Sequence, residues 1–165
     1  MKLRQPFDRT RQAGTAALEL AIALPVLLLL LVATAEVGRL LSQYDTLTKS
    51  VRDAARFLAS NALGGTTGIV LITPQVQTQT QNLVVTGNIN GSGSALLPGL
   101  VAANVTVTTV DSTHVSVSAA YTYQPLLGAT LPTFGIGSSP ISFSFPLTAT
   151  IVMRGLGRAD ACKPV

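Results

Sequence analysis

A single carboxylate, Glu19, lies within an almost wholly apolar stretch that runs from Ala13 to Val37. An ionisable side chain in hydrocarbon is costly unless it is paired or protonated, so an acid kept there usually serves a function. The chemistry open to Glu19 is therefore pairing with a cation or protonation of its carboxylate. The alternative is a position near enough to the lipid headgroups to stay hydrated, which its short distance from Arg11 along the chain favours.

The other residues capable of chemistry form no catalytic set. His114 is the only histidine in the sequence and Cys162 the only cysteine. A Ser–His–Asp triad, an HExxH zinc site and a Cys–His pair each need partners that this sequence lacks. The acids Asp111 and Asp160 have no second carboxylate near them in sequence. The sequence therefore predicts no enzyme, no cofactor, no metal and no small-molecule substrate. Cys162 is either a free thiol or, in an oxidising compartment, half of an intermolecular bridge.

Composition indicates a membrane or an assembly. The 165 residues are 47% hydrophobic and 11% charged, whereas ordinary soluble domains carry about 25% charged residues. The first eleven residues hold +3 of the formal net charge of +4, so the basic character is a short tail ahead of the apolar stretch. No basic stripe with interleaved aromatic residues follows, and a nucleic-acid partner is not predicted.

The apolar stretch is long enough to cross a bilayer, which takes about 20 residues in a helix. The basic tail predicts a cytoplasmic N-terminus, with everything after Arg39 outside. We therefore expect a basic leader at 1–14, a transmembrane helix at 15–37, an amphipathic helix at 38–62 and an extracytoplasmic β-rich domain at 63–165. A secretory signal peptide cleaved after Ala35 is the competing interpretation, because Ala33-Thr34-Ala35 fits a small-x-small cleavage site.

Beyond Arg39 the apolar residues become periodic, which predicts that the helix continues to about Ser60–Leu63 with a narrow apolar seam. Asp45 and Lys49 are spaced as favourable i,i+4 partners. The predicted seam repeats every seven residues at Val37, Tyr44, Val51 and Leu58, with Leu40, Leu41, Leu47, Ala54 and Ala55 at the alternate positions.

Strands are indicated in the C-terminal half by alternation. Residues 105–109 and 115–123 alternate around the turn Asp111–Thr113, which predicts a β-hairpin. Residues 141–153 keep period two, with Pro146 favouring an edge position or a bulge. Weaker strand candidates are 69–73 and 83–86; loops are expected at 88–93 and 127–139, and the Gln/Thr tract 75–81 is interpreted as an exposed edge or loop. Together these elements predict an α+β fold in which a small antiparallel sheet packs one apolar face on the long helix.

The segment around Gly14 resembles the type IV prepilin processing site. It has a basic leader, a glycine, a glutamate five residues beyond it and then an apolar helix with Pro25. The resemblance implies cleavage by prepilin peptidase between Gly14 and Thr15, which leaves a free amine on Thr15. It also implies that Glu19 pairs with that amine on a neighbouring subunit, as an assembly residue and not a catalyst.

A longer stretch is similar to the TadE-like family. The matching motifs are Glu19–Pro25, Glu36–Arg39, Tyr44, Leu47-Thr48 and Arg52–Arg56. Leu20 departs from the aromatic residue usual after the glutamate. The resemblance implies a pilin-like fold and a minor pilin or pseudopilin of a tight-adherence (Flp, type IVb) pilus. Such a subunit would sit in the inner membrane with its C-terminal domain periplasmic, or at the cell surface in a pilus. Its partners would be other pilins, and its roles surface attachment and biofilm formation.

Two other interpretations stay open at this stage. One is an uncleaved single-pass membrane scaffold of the same machinery, with the same topology but no polymerisation. The other is a secreted β-rich binding domain that is released after Ala35 and begins at Glu36.

Overall fold

The computed structural model describes residues 9–62, 69–126, 130–131, 141–142 and 144–156. The described elements comprise two helices, a 3₁₀ turn at Ala102–Asn104 and five strands. In chain order they are α1 (Arg9–Asn61), α2 (Pro74–Thr86), β1 (Val105–Thr109), β2 (His114–Thr122), β3 (Thr130–Leu131), β4 (Ile141–Ser142) and β5 (Pro146–Arg154). The predicted α+β class, a long N-terminal helix with a small antiparallel sheet, is confirmed.

The chain divides into two compact units, Met1–Arg39 and Leu40–Val165. In the first unit, α1 starts at Arg9, six residues before the predicted start at Thr15, and continues through Pro25. In the second unit it ends at Asn61, within the predicted range.

The second unit buries one face of α1, but this face is not the whole predicted seam. Leu47, Val51 and Leu58 are fully buried, as are Ala54 and Ala55. Tyr44 and Leu41, in contrast, are 43% and 59% exposed, so the prediction that they continue the buried seam is wrong. The buried face runs instead through Leu40, which packs against the core, and Gln43, whose buried side chain accepts from the Tyr121 hydroxyl at 3.1 Å. Leu41 and Tyr44 each follow a residue of that face and lie to its side on the helix, so they stay exposed.

The predicted hairpin is confirmed. β1 and β2 pair antiparallel around residues 110–113, with Val107 opposite Val117, and Val110 N donates to His114 O across the turn at 2.9 Å. One face of β2 is buried, through Val115, Val117, Ala119 and Tyr121, while the residues between them are half-buried or exposed. The period-two pattern therefore gave both the pairing and the face that meets the core.

β5 completes the sheet, whose order is β1-β2-β5. Pro146 is its first residue, pairs with Thr122 and lies on an edge strand, as predicted. The prediction of one strand over 141–153 is wrong, because Ile141–Ser142 pairs with Thr130–Leu131 in a separate two-stranded sheet. Proline has no N–H to give to a ladder and is confined to strand starts, edges and bulges, so β5 starts at Pro146.

The Gln/Thr tract is helical, which corrects the interpretation of 75–81 as an edge or loop. The Thr73 side chain accepts from Val76 N at 3.3 Å, Pro74 occupies the first turn, and Gly87 closes the helix at a φ of 71°. These are ordinary start and stop signals of a helix. Thr80 and Val84 are buried four residues apart, on one face of the helix. The alternation of Gln and Thr in the sequence has a period of two and does not show this face.

The two weaker strand candidates are also wrong. Residues 83–86 form the last turn of α2, and of 69–73 only Val70 makes a bridge, donating to Ser112 O at 2.9 Å. The loop at 88–93 is confirmed. Of the expected loop at 127–139 the structure describes Thr130–Leu131, which form β3, so the prediction is wrong there. Cys162 and Asp160 lie outside the described residues.

One hydrophobic cluster joins α1, α2 and the sheet in the second unit. Polar contacts bridge the same elements: the Gln81 side chain donates to Val105 O at 3.1 Å. Just after β5, Leu156 N donates to Ala59 O at 2.9 Å. The end of the sheet is thereby fixed to the end of α1.

Leu58→Ala should lower the free energy of unfolding by about 2–5 kcal/mol, because it leaves a cavity at a fully buried position of α1. Urea unfolding of the full chain in detergent, followed by near-UV circular dichroism, measures the change. Leu41→Ala is the matched control on the same helix, and we expect a change within about 0.5 kcal/mol. Equal losses in the two variants would contradict the placement of the core.

Candidate assembly site

Gly14, Thr15 and Glu19 all lie on α1, so the bond predicted to be cut is one helical turn from the predicted pairing residue. Gly14 and Glu19 are exposed, and a Cβ built on Gly14 would meet nothing within 4 Å. Among the described residues, the two ion pairs are Lys49–Asp45 and His114–Asp111, so Glu19 has no cationic partner there. The Glu19 carboxylate therefore lies exposed on the surface of α1.

The surroundings of Glu19 are apolar on every side of the helix. Leu18, Leu20 and Ile22 are 63%, 57% and 70% exposed. The most apolar window of α1 has a mean hydropathy of 2.6, and none of it is buried by the rest of the chain. This is the one described helix that is long and apolar enough to cross a membrane. A helix that is hydrophobic all round requires a lipid or protein environment.

Two other acidic residues of α1, Asp45 and Glu36, have environments unlike that of Glu19. Asp45 pairs with Lys49 at 2.6 Å on the exposed surface of α1, which confirms that i,i+4 prediction. Glu36, by contrast, is buried, with 5% of its surface exposed, and nothing in its sequence context indicated this.

The hairpin tip carries the remaining polar cluster. The Asp111 carboxylate accepts from the backbone N–H groups of Thr113 and His114, both at 2.7 Å, and lies 2.9 Å from His114 Nδ1. The hydrogen bond from the Thr113 backbone, followed by that from the His114 side chain, holds the pKa of Asp111 well below its usual range. This is an Asx turn that closes the hairpin. Among the described residues, no group of three His, Cys, Asp or Glu could hold a metal ion.

The N-terminal helix α1 contains a segment that matches a known protein family. The model of the TadE-like protein family matches residues 14–56. This segment is TadE-like. The resemblance predicted from the sequence is therefore confirmed over the part of α1 that begins at Gly14 and includes Glu19, Glu36 and the charged turns up to Arg56.

The match covers the helix and not the sheet. Neither the comparison with curated proteins nor that with solved structures found a match.

Sequence reasoning located Gly14, Thr15 and Glu19 on one helix but missed the contact between Gln43 and Tyr121, which lie far apart in sequence. No local signal pairs two such residues. The Asp111 network, in contrast, could have been found, since Asp-Ser-Thr-His between two alternating runs is a typical Asx-turn sequence.

Asp111→Ala should lower the melting temperature at neutral pH and flatten its dependence on acid pH. The folded-state pKa of Asp111 lies below the unfolded value of about 3.9, so the stabilisation is present above pH 4 and is lost as the pH falls further. Thermal melts from pH 7 to pH 2 measure this. Asp53→Ala is the control, because no ion pair of Asp53 is found among the described residues. An identical acid profile in both variants would contradict the role of the turn.

Proposed function

We propose that this chain is a minor pilin or pseudopilin of a tight-adherence type IVb pilus, a structural or assembly subunit that supports surface attachment. It is inserted in the inner membrane with its N-terminus in the cytoplasm and its β-rich domain in the periplasm. Prepilin peptidase cuts it between Gly14 and Thr15, and helix-to-helix packing with other pilins follows. The observation that carries the proposal is Glu19, exposed in the apolar part of α1 within the TadE-like segment.

The energetics of Glu19 favour a partner of opposite charge. A carboxylate in an apolar packing is destabilising when it is alone, and removal of one member of a buried pair costs about 3–5 kcal/mol. The described residues of its own chain supply no cation to it. The amine that cleavage creates on Thr15 supplies one in each neighbouring copy. Pairing between copies therefore makes Glu19 tolerable and fixes the register of assembly.

Cleavage at this bond also changes the helix that carries Glu19. In the uncut chain α1 starts at Arg9, and residues 15–18 give their N–H groups to the preceding turn. After cleavage those groups become the unsatisfied start of the helix. A carboxylate near a helix start is stabilised by about 0.3–1 kcal/mol at exposed sites. Cleavage would thus place the Glu19 carboxylate near a new helix N-terminus, which stabilises negative charge.

The charge distribution supports the proposed orientation. Basic residues precede the apolar stretch, which is typical of a cytoplasmic flank. Between Arg56 and Arg154 the sequence has one charged residue, Asp111. A nearly neutral surface rich in serine and threonine suits packing among subunits better than turnover of a charged substrate. We propose a structural role and no enzymatic one.

The uncleaved scaffold and the secreted domain remain the alternatives, and the mature N-terminus separates all three. Mass spectrometry of the chain from cells that contain the peptidase should give Thr15 as the first residue. A chain that begins at Met1 would favour the scaffold. A chain that begins at Glu36 and needs no detergent would favour the secreted domain.

Gly14→Val should abolish processing, because the valine side chain adds bulk beside the bond that the peptidase must reach. Folding should be unaffected, because α1 has open space at this position.

Glu19→Ala should leave membrane insertion intact and abolish co-purification with surface fibres sheared from cells. Insertion is preserved because the substitution makes the helix more apolar, whereas assembly loses its charged pair. Ile22→Ala is the matched control on the same uncovered helix, and it should be incorporated as the parent is. Normal incorporation of Glu19→Ala, quantified by immunoblot of the sheared fraction, would remove the pairing role.

A further inference from the structure

Four of the five asparagines in the sequence have side chains that are held by hydrogen bonds. The side chains of Asn61, Asn82 and Asn88 each donate a hydrogen bond, and that of Asn104 accepts one. Asn90 lies exposed in the loop that follows α2, and its side chain makes no hydrogen bond to the described part of the chain. Its carboxamide is therefore free to rotate, which a reaction with the neighbouring backbone requires.

Asn90 is also the one asparagine that is followed by glycine. The other four are followed by alanine, leucine, isoleucine and valine. Glycine has no Cβ, so the backbone nitrogen of Gly91 is less hindered as a nucleophile than that of any other residue type. The loop thus combines a mobile carboxamide with an open nitrogen at the next residue.

The fold itself requires glycine at position 91. The φ of Gly91 is 69°, in the left-handed region that favours glycine. A Cβ there would lie 2.9 Å from Cγ and Nδ2 of Asn82. The Asn82 side chain is in turn held by its hydrogen bond to Ile89 O at 3.2 Å. Any larger residue would strain this loop, so the unhindered nitrogen beside Asn90 is a consequence of how the loop packs on α2.

We propose that the Asn90–Gly91 bond is a site of spontaneous deamidation. The Gly91 nitrogen loses its proton and attacks Asn90 Cγ, and the new C–N bond closes a cyclic succinimide. The C–N bond of the carboxamide breaks, and its nitrogen leaves as ammonia with the proton. Water then opens the ring at one of its two carbonyls, which gives aspartate or isoaspartate and restores the N–H of Gly91. The reaction needs no oxidant or reductant.

The turn at 88–91 controls the rate of this reaction. Gly91 N donates to Asn88 O at 3.1 Å, so its proton is engaged while the turn is closed. The Asn88 side chain reinforces the turn, because it accepts from Asn90 N at 2.9 Å and donates to Ser92 Oγ at 2.8 Å. The attack therefore waits for the turn to open, and the fraction of open turn sets the rate in the folded chain.

Either product changes the surface of the second unit. It adds a negative charge to a stretch in which Asp111 is the one charged residue between Arg56 and Arg154. Isoaspartate also lengthens the main chain, because the backbone then passes through the former side chain. Gly91 is thereby moved from its place against Asn82, and the loop loses its contact with α2. The chain thus carries a record of its own age.

Peptide mapping of the full chain in detergent tests the proposal. Samples are aged at mildly alkaline pH, because base removes the Gly91 proton, and pepsin then releases the loop in acid, where the reaction is slow. Mass spectrometry locates the exchange of NH₂ for OH. We expect aspartate and isoaspartate at Asn90 and neither at Asn88, where the side chain of Ile89 hinders attack.

Two variants separate the chemistry from the control by the turn. Ser92→Ala removes one bond of the Asn88 side chain and should speed up the reaction at Asn90 by about two- to tenfold, as expected for the loss of one net hydrogen bond. Asn90→Gln keeps the carboxamide but would need a larger ring, so it should stay unmodified.

An Asn90 that survives ageing unchanged would overturn the proposal, and so would equal conversion of Asn88. Aspartate without isoaspartate would indicate direct attack by water and would overturn the succinimide route. A Ser92→Ala rate equal to that of the parent would overturn the control by the turn. The loop lies in the second unit and its chemistry is independent of the N-terminus, so each of these results leaves the proposed function as it stands.

Discussion

The structure depends on an apolar helix that its own chain does not cover. Residues 14–28 of α1 are exposed on every face, and a helix of that kind is stable only where lipid or neighbouring helices replace water. Everything chemically unusual about the chain follows from this constraint. Glu19 is costly because of it, and the amine that we propose cleavage creates on Thr15 would offset that cost. In the second unit the same helix is amphipathic, and there the sheet covers it.

The two halves of α1 are both helical, but the first is uncovered by its own chain and the second packs against a core. From Leu47 to Leu58 the helix buries one stripe against α2 and the sheet, as a soluble domain does. The buried face continues towards the N-terminus through Gln43, which accepts from the Tyr121 hydroxyl. A buried hydrogen bond at this place contributes little net energy, but it would be expensive to leave half-made. It therefore specifies the register between helix and sheet more than it adds to stability.

Much of this could be predicted from sequence, and the failures have physical causes. The apolar helix, the hairpin and the edge position of Pro146 follow from periodicity and from the missing N–H of proline. Residues 75–81 were misread because Gln and Thr alternate there with a period of two, while the helix is decided by the caps at Thr73 and Gly87. Tyr44 is exposed because the buried face of α1 includes the neighbouring Gln43 instead, and a repeat of apolar residues does not pick out a polar one. Glu19 was found because a charge in an apolar run is visible without any structure.

The contact between Leu156 and Ala59 has a consequence for biogenesis. The chain just after the last strand must return to the end of a helix that was synthesised almost a hundred residues earlier, and β2 pairs with β5 although β3 and β4 lie between them in the chain. Such non-local pairings close late and slowly. Until β5 has been synthesised, the hairpin and α2 have no third strand to complete the core. The β-rich unit therefore becomes fully folded only after its C-terminal strand is available, and until then its apolar face is open to chaperones and proteases.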